Sequence, residues 1–155
     1  MNIKKAGLDD IDALIKLRID YLSIDKELTQ EEQEDIRQNL HTYLNKYIPD
    51  DGFFAYIAED NGRAVSAAFL SVAERPPRYT SSSLTGTVYN VFTYPEFRRR
   101  GIAAKVMTAL MDEAQKLNVV HIDLLATKDG KYLYEKLGFS VPDKYVYMKE
   151  SIGRN

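Results

Sequence analysis

The sequence YNVFTYPEFRRRGIAAKV, from Tyr89 to Val106, predicts a strand joined to a helix through a charged turn. Its first half is apolar and aromatic, as is typical of strands. Pro95 ends the strand, because proline has no N–H to continue a ladder. The apolar residues after Gly101 have helical spacing, and three arginines stand immediately before that helix.

The three arginines, Arg98 to Arg100, precede helix N–H groups that have no partner inside the helix. Those donors, the positive end of the helix dipole and the guanidinium groups together suit an anion with more than one charge. Pyrophosphate is the natural candidate, and Gly101 would let such a ligand approach the backbone closely. The alternative interpretation is a basic turn that is merely solvated.

The composition predicts one ordinary globular domain over residues 1–155. Apolar residues make up 45% and charged residues 28%, and the net charge of -2 does not favour nucleic acid as a partner. The chain has no cysteine, which excludes disulfides, thiolate metal sites and cysteine nucleophiles. We expect no metal, because no acidic or histidine cluster has ligand spacing and His41 and His121 are best explained as structural.

No apolar run approaches the ~20 residues of a membrane span, and the N-terminus MNIKKAGLDD is unlike a signal peptide. We therefore expect a cytoplasmic protein without a membrane partner. The sequence does not exclude a homodimer.

The periodicity of the chain predicts a mixed α/β sheet with helices on its faces. The expected elements, in chain order, are the strand NIKKA, a helix after Asp9, a helix capped by Thr29 and Glu32, the hairpin strands FFAYIAE and RAVSAAFLSV, a strand from Thr87 to Thr93, a helix after Gly101, a buried parallel strand in VVHIDLLA, a helix in GKYLYEKLG closed by Gly138, and a last strand in KYVYMK.

Two motifs resemble those of the GNAT N-acetyltransferases. Arg98, Gly101 and Ala103 fit the pattern [Q/R]-x-x-G-x-[G/A] between a strand and a helix, and LYEKLGF, from Leu133 to Phe139, is similar to a second family signature. The resemblance implies a single-domain GNAT-like fold, in which a mixed, mostly antiparallel sheet is splayed at the acetyl-CoA site and helices cover both faces.

The resemblance also implies which residues bind acetyl-CoA. Backbone N–H groups in the arginine-glycine loop would hold the pyrophosphate, and they belong to Arg98, Arg99, Arg100, Gly101, Ile102, Ala103 and Ala104. Backbone groups of Phe92 and Thr93 would bind pantetheine and the thioester carbonyl. Thr127 stands where many members have an asparagine that contacts the pantetheine arm.

Two side chains are candidates for proton transfer. Tyr134 matches the tyrosine that protonates the coenzyme A thiolate in many members, although it could simply pack its helix against the sheet. The strand from Thr87 to Thr93 has no Asp, Glu or His, so Glu74 is the preferred general base. Water relays, or an amine that arrives neutral, would make a base unnecessary. The Pro- and Ser-rich loop from Glu74 to Gly86 is expected to form one wall of the acceptor site.

The sequence therefore predicts an acetyl-CoA-dependent N-acetyltransferase in which the primary amine of a small molecule or peptide attacks the thioester directly. A non-catalytic acyl-CoA-binding module on the same fold is the alternative. A phosphate-recognising interaction domain would need only the arginine loop, and the second signature around Tyr134 argues against it.

Overall fold

The computed structural model describes residues 1–79 and 82–153, and it divides into two compact units, residues 1–125 and residues 126–155. The helices and strands of the first unit are β1 (Asn2–Lys5), α1 (Ile11–Leu22), α2 (Gln30–Tyr47), β2 (Phe53–Asp60), β3 (Arg63–Glu74), β4 (Leu84–Thr93), α3 (Ile102–Lys116) and β5 (His121–Asp123). The second unit contains α4 (Lys131–Lys136).

The five strands form one open sheet in the order β1-β2-β3-β4-β5. All neighbours are antiparallel except β4 and β5, which run parallel. The last of their pairs joins Thr87 to Asp123. Beyond Thr87, the outer edge of β4 has no strand partner within the described ranges, so the predicted mixed, splayed sheet is confirmed.

Helices cover both faces of this sheet, as predicted. Side chains alternate between the faces of a strand. On β2, Phe53 and Ile57 belong to the core beneath α1 and α2. Between them, Tyr56 points to the other face, where its hydroxyl donates to Glu113 of α3 at 3.1 Å.

The predicted capping box at the start of α2 is present. The Thr29 hydroxyl accepts from the Glu32 N–H at 3.1 Å, and the Glu32 carboxylate accepts from the Thr29 N–H at 3.2 Å. This exchange satisfies two backbone N–H groups within the helix terminus itself.

One strand prediction was confirmed only in part, and another was wrong. The run VVHIDLLA is parallel to β4 but forms a strand only at His121–Asp123, and it is not buried, since 74% of Leu125 is exposed. The alternating segment KYVYMK contains no strand, and Tyr147 within it is exposed. Alternation in the sequence indicates which residues share a face but does not supply a pairing partner.

None of the described helices combines the length and apolar character that a membrane span requires.

Candidate functional site

The loop before α3 has the backbone shape of an anion-binding concavity. Arg99 and Gly101 both adopt left-handed conformations, with φ of 63° and 71°. A left-handed residue followed by a right-handed one, as Gly101 is by the helical Ile102, turns successive N–H groups toward one side. No side chain caps this helix, and the first helical bond runs from the Lys105 N–H to the Gly101 carbonyl. The N–H groups of residues 102–104 therefore lack acceptors within the helix.

Glycine at position 101 is required by its backbone angle. A Cβ added to Gly101 would have no protein atom within 4 Å, so the loop is open rather than crowded. A left-handed φ of 71° instead penalises residues that carry a Cβ.

The three arginines of the loop have different surroundings. Arg98 Nε donates to the Thr93 carbonyl at 2.8 Å, and Arg100 Nη2 donates to the Glu96 carbonyl at 3.2 Å. Arg99 makes no hydrogen bond, ion pair or ring contact with any residue of the described ranges. Two arginines thus fasten the loop, and the third leaves an unpaired guanidinium beside the start of α3.

A bulge interrupts β4 just before this loop. Tyr89 pairs with Phe69 and Phe92 pairs with Ala67, so Asn90 and Val91 both lie opposite a single residue of β3. Asn90 has a φ of 57°. Such an extra residue bends a strand and disrupts its ladder locally.

Because of the bulge, the residues of β4 that direct their backbone groups to the open edge differ from those in a strand without the extra residue. The Tyr94 N–H donates to the Val65 carbonyl at 3.0 Å. Because ladder bonds alternate along an antiparallel pair, the backbone groups of Phe92 also face β3, and those of Val91 and Thr93 face outward. The Arg98 bond to the Thr93 carbonyl agrees with this direction. The backbone groups of Phe92 therefore face β3, its contact with acetyl-CoA stays a prediction, and Val91 is a further candidate.

Helix α1 packs over the bulge and supplies polar side chains to it. Arg18 Nη1 donates to Asn90 Oδ1 at 3.3 Å, and burial lowers the pKa of Arg18. The Tyr94 hydroxyl donates to the carboxylate of Asp20, which also pairs with Lys16 at 2.8 Å. Burial, with the Asp20 hydrogen bond, raises the pKa of Tyr94.

A carboxylate that the sequence did not single out lies where β4 and β5 separate. The Thr87 hydroxyl donates to Asp123 Oδ1 at 2.7 Å, at the last pair between the two strands. Asp123 thus lies at the beginning of the open edge. Its position depends on the pairing of distant segments, which no local motif indicated.

Glu74 is at the other end of β4 from the arginine loop. It pairs with Leu84, the first residue of β4, and its carboxylate accepts from the Ser83 hydroxyl at 3.4 Å. Leu84 precedes Val91 by seven positions, or about 23 Å at the usual strand rise. The structure therefore does not bring Glu74 to the open edge. Thr80 and Ser81 of the predicted acceptor loop lie outside the described residues.

Thr127 and Tyr134 belong to the second unit. The Thr127 hydroxyl accepts from the Gly130 N–H at 3.1 Å, and the Thr127 carbonyl accepts from the Lys131 N–H at 3.0 Å. The Tyr134 ring meets Phe139 edge-on, with centroids 6.0 Å apart. Thr127 thus shapes the start of α4, and the contacts expected of both residues with acetyl-CoA stay predictions.

A cavity of about 360 Å³ lies on α1 and α2. Its lining includes acidic and basic side chains, among them Asp12, Lys16, Asp20 and Arg37. Asp20 connects this cavity to the end of β4 through Tyr94. Among the described residues, no group of three or more His, Asp or Glu side chains could hold a metal ion.

Comparison with known proteins identifies the family. Residues 51–141 match the model of the acetyltransferase (GNAT) domain. A protein from Clostridium acetobutylicum, described as a predicted acetyltransferase and crystallised with acetyl-CoA, is 31% identical, with a TM-score of 0.81 over 96% of this chain and 95% of that one. No curated protein matches the sequence closely.

More distant structures share the fold. A GCN5-related N-acetyltransferase from Ralstonia eutropha is 21% identical, with a TM-score of 0.80 over 97% of both chains. An aminoglycoside 6'-N-acetyltransferase from Acinetobacter haemolyticus is 20% identical, with a TM-score of 0.69 over 99% of this chain and 100% of that one. The matched domain model and the 31% identical relative show that the chain belongs to the GNAT acetyltransferase family.

Proposed function

We propose that residues 1–155 act as one acetyl-CoA-dependent N-acetyltransferase domain whose acceptor is a primary amine. The observation that carries this proposal is the continuity between the open edge of β4 and the uncapped start of α3. Backbone groups of Val91 and Thr93 would pair with the pantetheine amides, and the N–H groups of residues 98–104 would hold the pyrophosphate. The relative crystallised with acetyl-CoA supports this choice of cosubstrate.

Acetyl-CoA supplies the acetyl group as a thioester, whose carbonyl carbon is open to attack by an amine. In the proposed reaction the N–C bond forms while the C–S bond breaks, and sulfur leaves with the electron pair. The Val91 N–H would donate to the carbonyl oxygen as negative charge develops there, and such a bond stabilises the transition state more than the ground state. Tyr134 would protonate the departing sulfur.

Asp123 is the general base in this proposal, in place of Glu74. Its carboxylate stands where the strands separate, and its bond to Thr87 holds it there. Thr87 lies four positions from Val91, or about 13 Å along β4, whereas Leu84 beside Glu74 lies about 23 Å away. Asp123 would therefore take the amine proton through a shorter chain of waters than Glu74.

Coenzyme A release with a panel of amines, amino acids, peptides and aminoglycosides tests the proposal. We expect at least one acceptor to release coenzyme A well above the rate of thioester hydrolysis. Asp123→Asn should slow that release without changing acetyl-CoA affinity, and Glu74→Gln should leave it near the wild-type rate. If acetyl-CoA binds but no acceptor accelerates its cleavage, the chain is an acyl-CoA-binding module instead.

A further inference from the structure

Arg18 is an unusual cation because it is half-buried and has no acidic partner among the described residues. Its guanidinium makes one hydrogen bond to them, the 3.3 Å bond from Nη1 to Asn90 Oδ1, and forms no ion pair with them. A guanidinium carries five N–H donors, so most of them lack protein acceptors here. Desolvation of such a cation is unfavourable unless an anion compensates for it.

Asn90 adds a second unused donor at the same point. Only 3% of its surface is exposed, yet Nδ2 has no hydrogen-bond partner in the part of the chain that the structure describes. A buried amide donor without a partner is rare and calls for a specific explanation. Because Oδ1 of the same amide binds Arg18, the free donors of both side chains lie close together.

We propose that Arg18 and Asn90 bind the carboxylate of the amine acceptor, so that the substrate is a free amino acid or a similar small amino carboxylate. This inference rests on the proposed function. A guanidinium and an amide offer planar N–H donors that match the two oxygens of a carboxylate.

The charge of this subsite favours a carboxylate over a phosphate. One guanidinium neutralises a singly charged anion, whereas a phosphate group carries close to two negative charges at neutral pH. The loop before α3 has three arginines and an uncapped helix start, which suit the greater charge of a pyrophosphate. The two anion sites thus differ in the charge they can balance.

The position of the subsite sets the size of the acceptor. Tyr89 pairs with Phe69, whose side chain belongs to the core beneath α1. Thr87, two residues earlier, shares that face, so Asp123 and Arg18 lie on the same side of β4. Asn90 immediately precedes Val91, whose N–H would hold the thioester carbonyl in the proposed function. An amine that attacks the thioester and a carboxylate at Arg18 and Asn90 therefore fit within one small amino acid.

The kinetic test compares each of the common amino acids with its carboxamide, which keeps the amine and removes the negative charge. For the best acceptor we expect the wild type to prefer the acid by about 10-fold or more in kcat/KM. Arg18→Gln should raise KM for the acid until that preference falls to about one, while KM for acetyl-CoA stays constant. Lys116→Gln, which removes an exposed charge from α3, should keep the wild-type preference.

Acetylation of other amines without preference for acids, or an unchanged preference in Arg18→Gln, would overturn the carboxylate subsite and leave the proposed function standing. If no amine is acetylated, the proposed function is wrong, and a binding experiment alone tests the carboxylate subsite. The 15N–1H signals of Arg18 Nε and Asn90 Nδ2 should then shift saturably with acetate at constant ionic strength and not with acetamide. The absence of a saturable shift would overturn the subsite.

Discussion

The N-termini of α2 and α3 are built in opposite ways. At α2, Thr29 and Glu32 exchange two hydrogen bonds, so the helix satisfies its own terminal groups. At α3, Gly101 has no side chain to offer, and no other side chain caps the helix. The first terminus is complete without a ligand, whereas the second leaves donors beside three arginines.

The difference between the N-termini of α2 and α3 shows how a binding site can be recognised in a fold with several helices. Every α-helix begins with unpaired N–H groups, so a helix start by itself carries no information. What distinguishes α3 is the left-handed loop, the missing cap and the unpaired Arg99 together. Substitutions that exchange these properties between the two termini test whether they account for ligand binding.

The largest effect is expected from Gly101→Asp, which makes α3 resemble α2. The aspartate carboxylate would lie beside the unpaired N–H groups and repel pyrophosphate, and the left-handed φ of 71° would add strain to the loop. We expect acetyl-CoA affinity to fall by roughly 300-fold, from like-charge repulsion of several kcal/mol. Isothermal titration calorimetry measures this directly, and near-wild-type affinity would show that the loop is not the phosphate site.

Tyr134→Phe should remove the proton donor and leave both helix N-termini intact, so it separates catalysis from ligand binding. Loss of a general acid should lower kcat by roughly 100-fold, and acetyl-CoA affinity should stay within a few fold of wild type. Single-turnover rates give the chemical step, and titration gives the affinity. An unchanged single-turnover rate would remove the acid role.

Arg99→Ala should have a smaller effect than Gly101→Asp. Its guanidinium is exposed and unpaired, so it contributes one screened charge near the ligand. We expect acetyl-CoA affinity to fall by about 5-fold at low salt, corresponding to roughly 1 kcal/mol. Raising the ionic strength should shrink the difference between variant and wild type. A salt-independent loss would mean that Arg99 acts through loop structure.

Thr29→Ala should affect stability and leave ligand binding unchanged. Removing an N-cap hydroxyl costs about 1 kcal/mol. For a chain of this size, that lowers Tm by roughly 2 to 4 °C. Thermal unfolding measures the loss, and the acetyl-CoA titration should match wild type. A weakened titration would show that the two termini are not independent.

Local sequence signals predicted those parts of the fold that depend on neighbouring residues. The capping box of α2 and the tight hairpin between β2 and β3 are set within a few positions of the chain, and both are present. Strand pairing joins distant segments, so KYVYMK could suggest a strand without revealing whether a partner exists. The exposed Leu125 shows the same limit for an apolar run.

The candidate site likewise contains residues that a local motif marks and residues that only tertiary packing brings together. The arginine loop could be located because its glycine and charges are contiguous in the sequence. The bulge at Asn90 could not, although asparagine is among the residues that tolerate a positive φ. The sequence alone points to Phe92 at the open edge, and the bulge adds Val91 as a candidate. Arg18 and Asp123 reach the site through tertiary packing, and no local motif marks them.

The central claim is that the uncapped start of α3 binds the pyrophosphate of acetyl-CoA. Its most direct test compares the affinities of acetyl-CoA and S-acetylpantetheine, which lacks the pyrophosphate, in wild type, Gly101→Asp and Thr29→Ala. We predict that the preference for acetyl-CoA narrows by about 10-fold or more in Gly101→Asp and is unchanged in Thr29→Ala. A full wild-type preference in Gly101→Asp would contradict the claim.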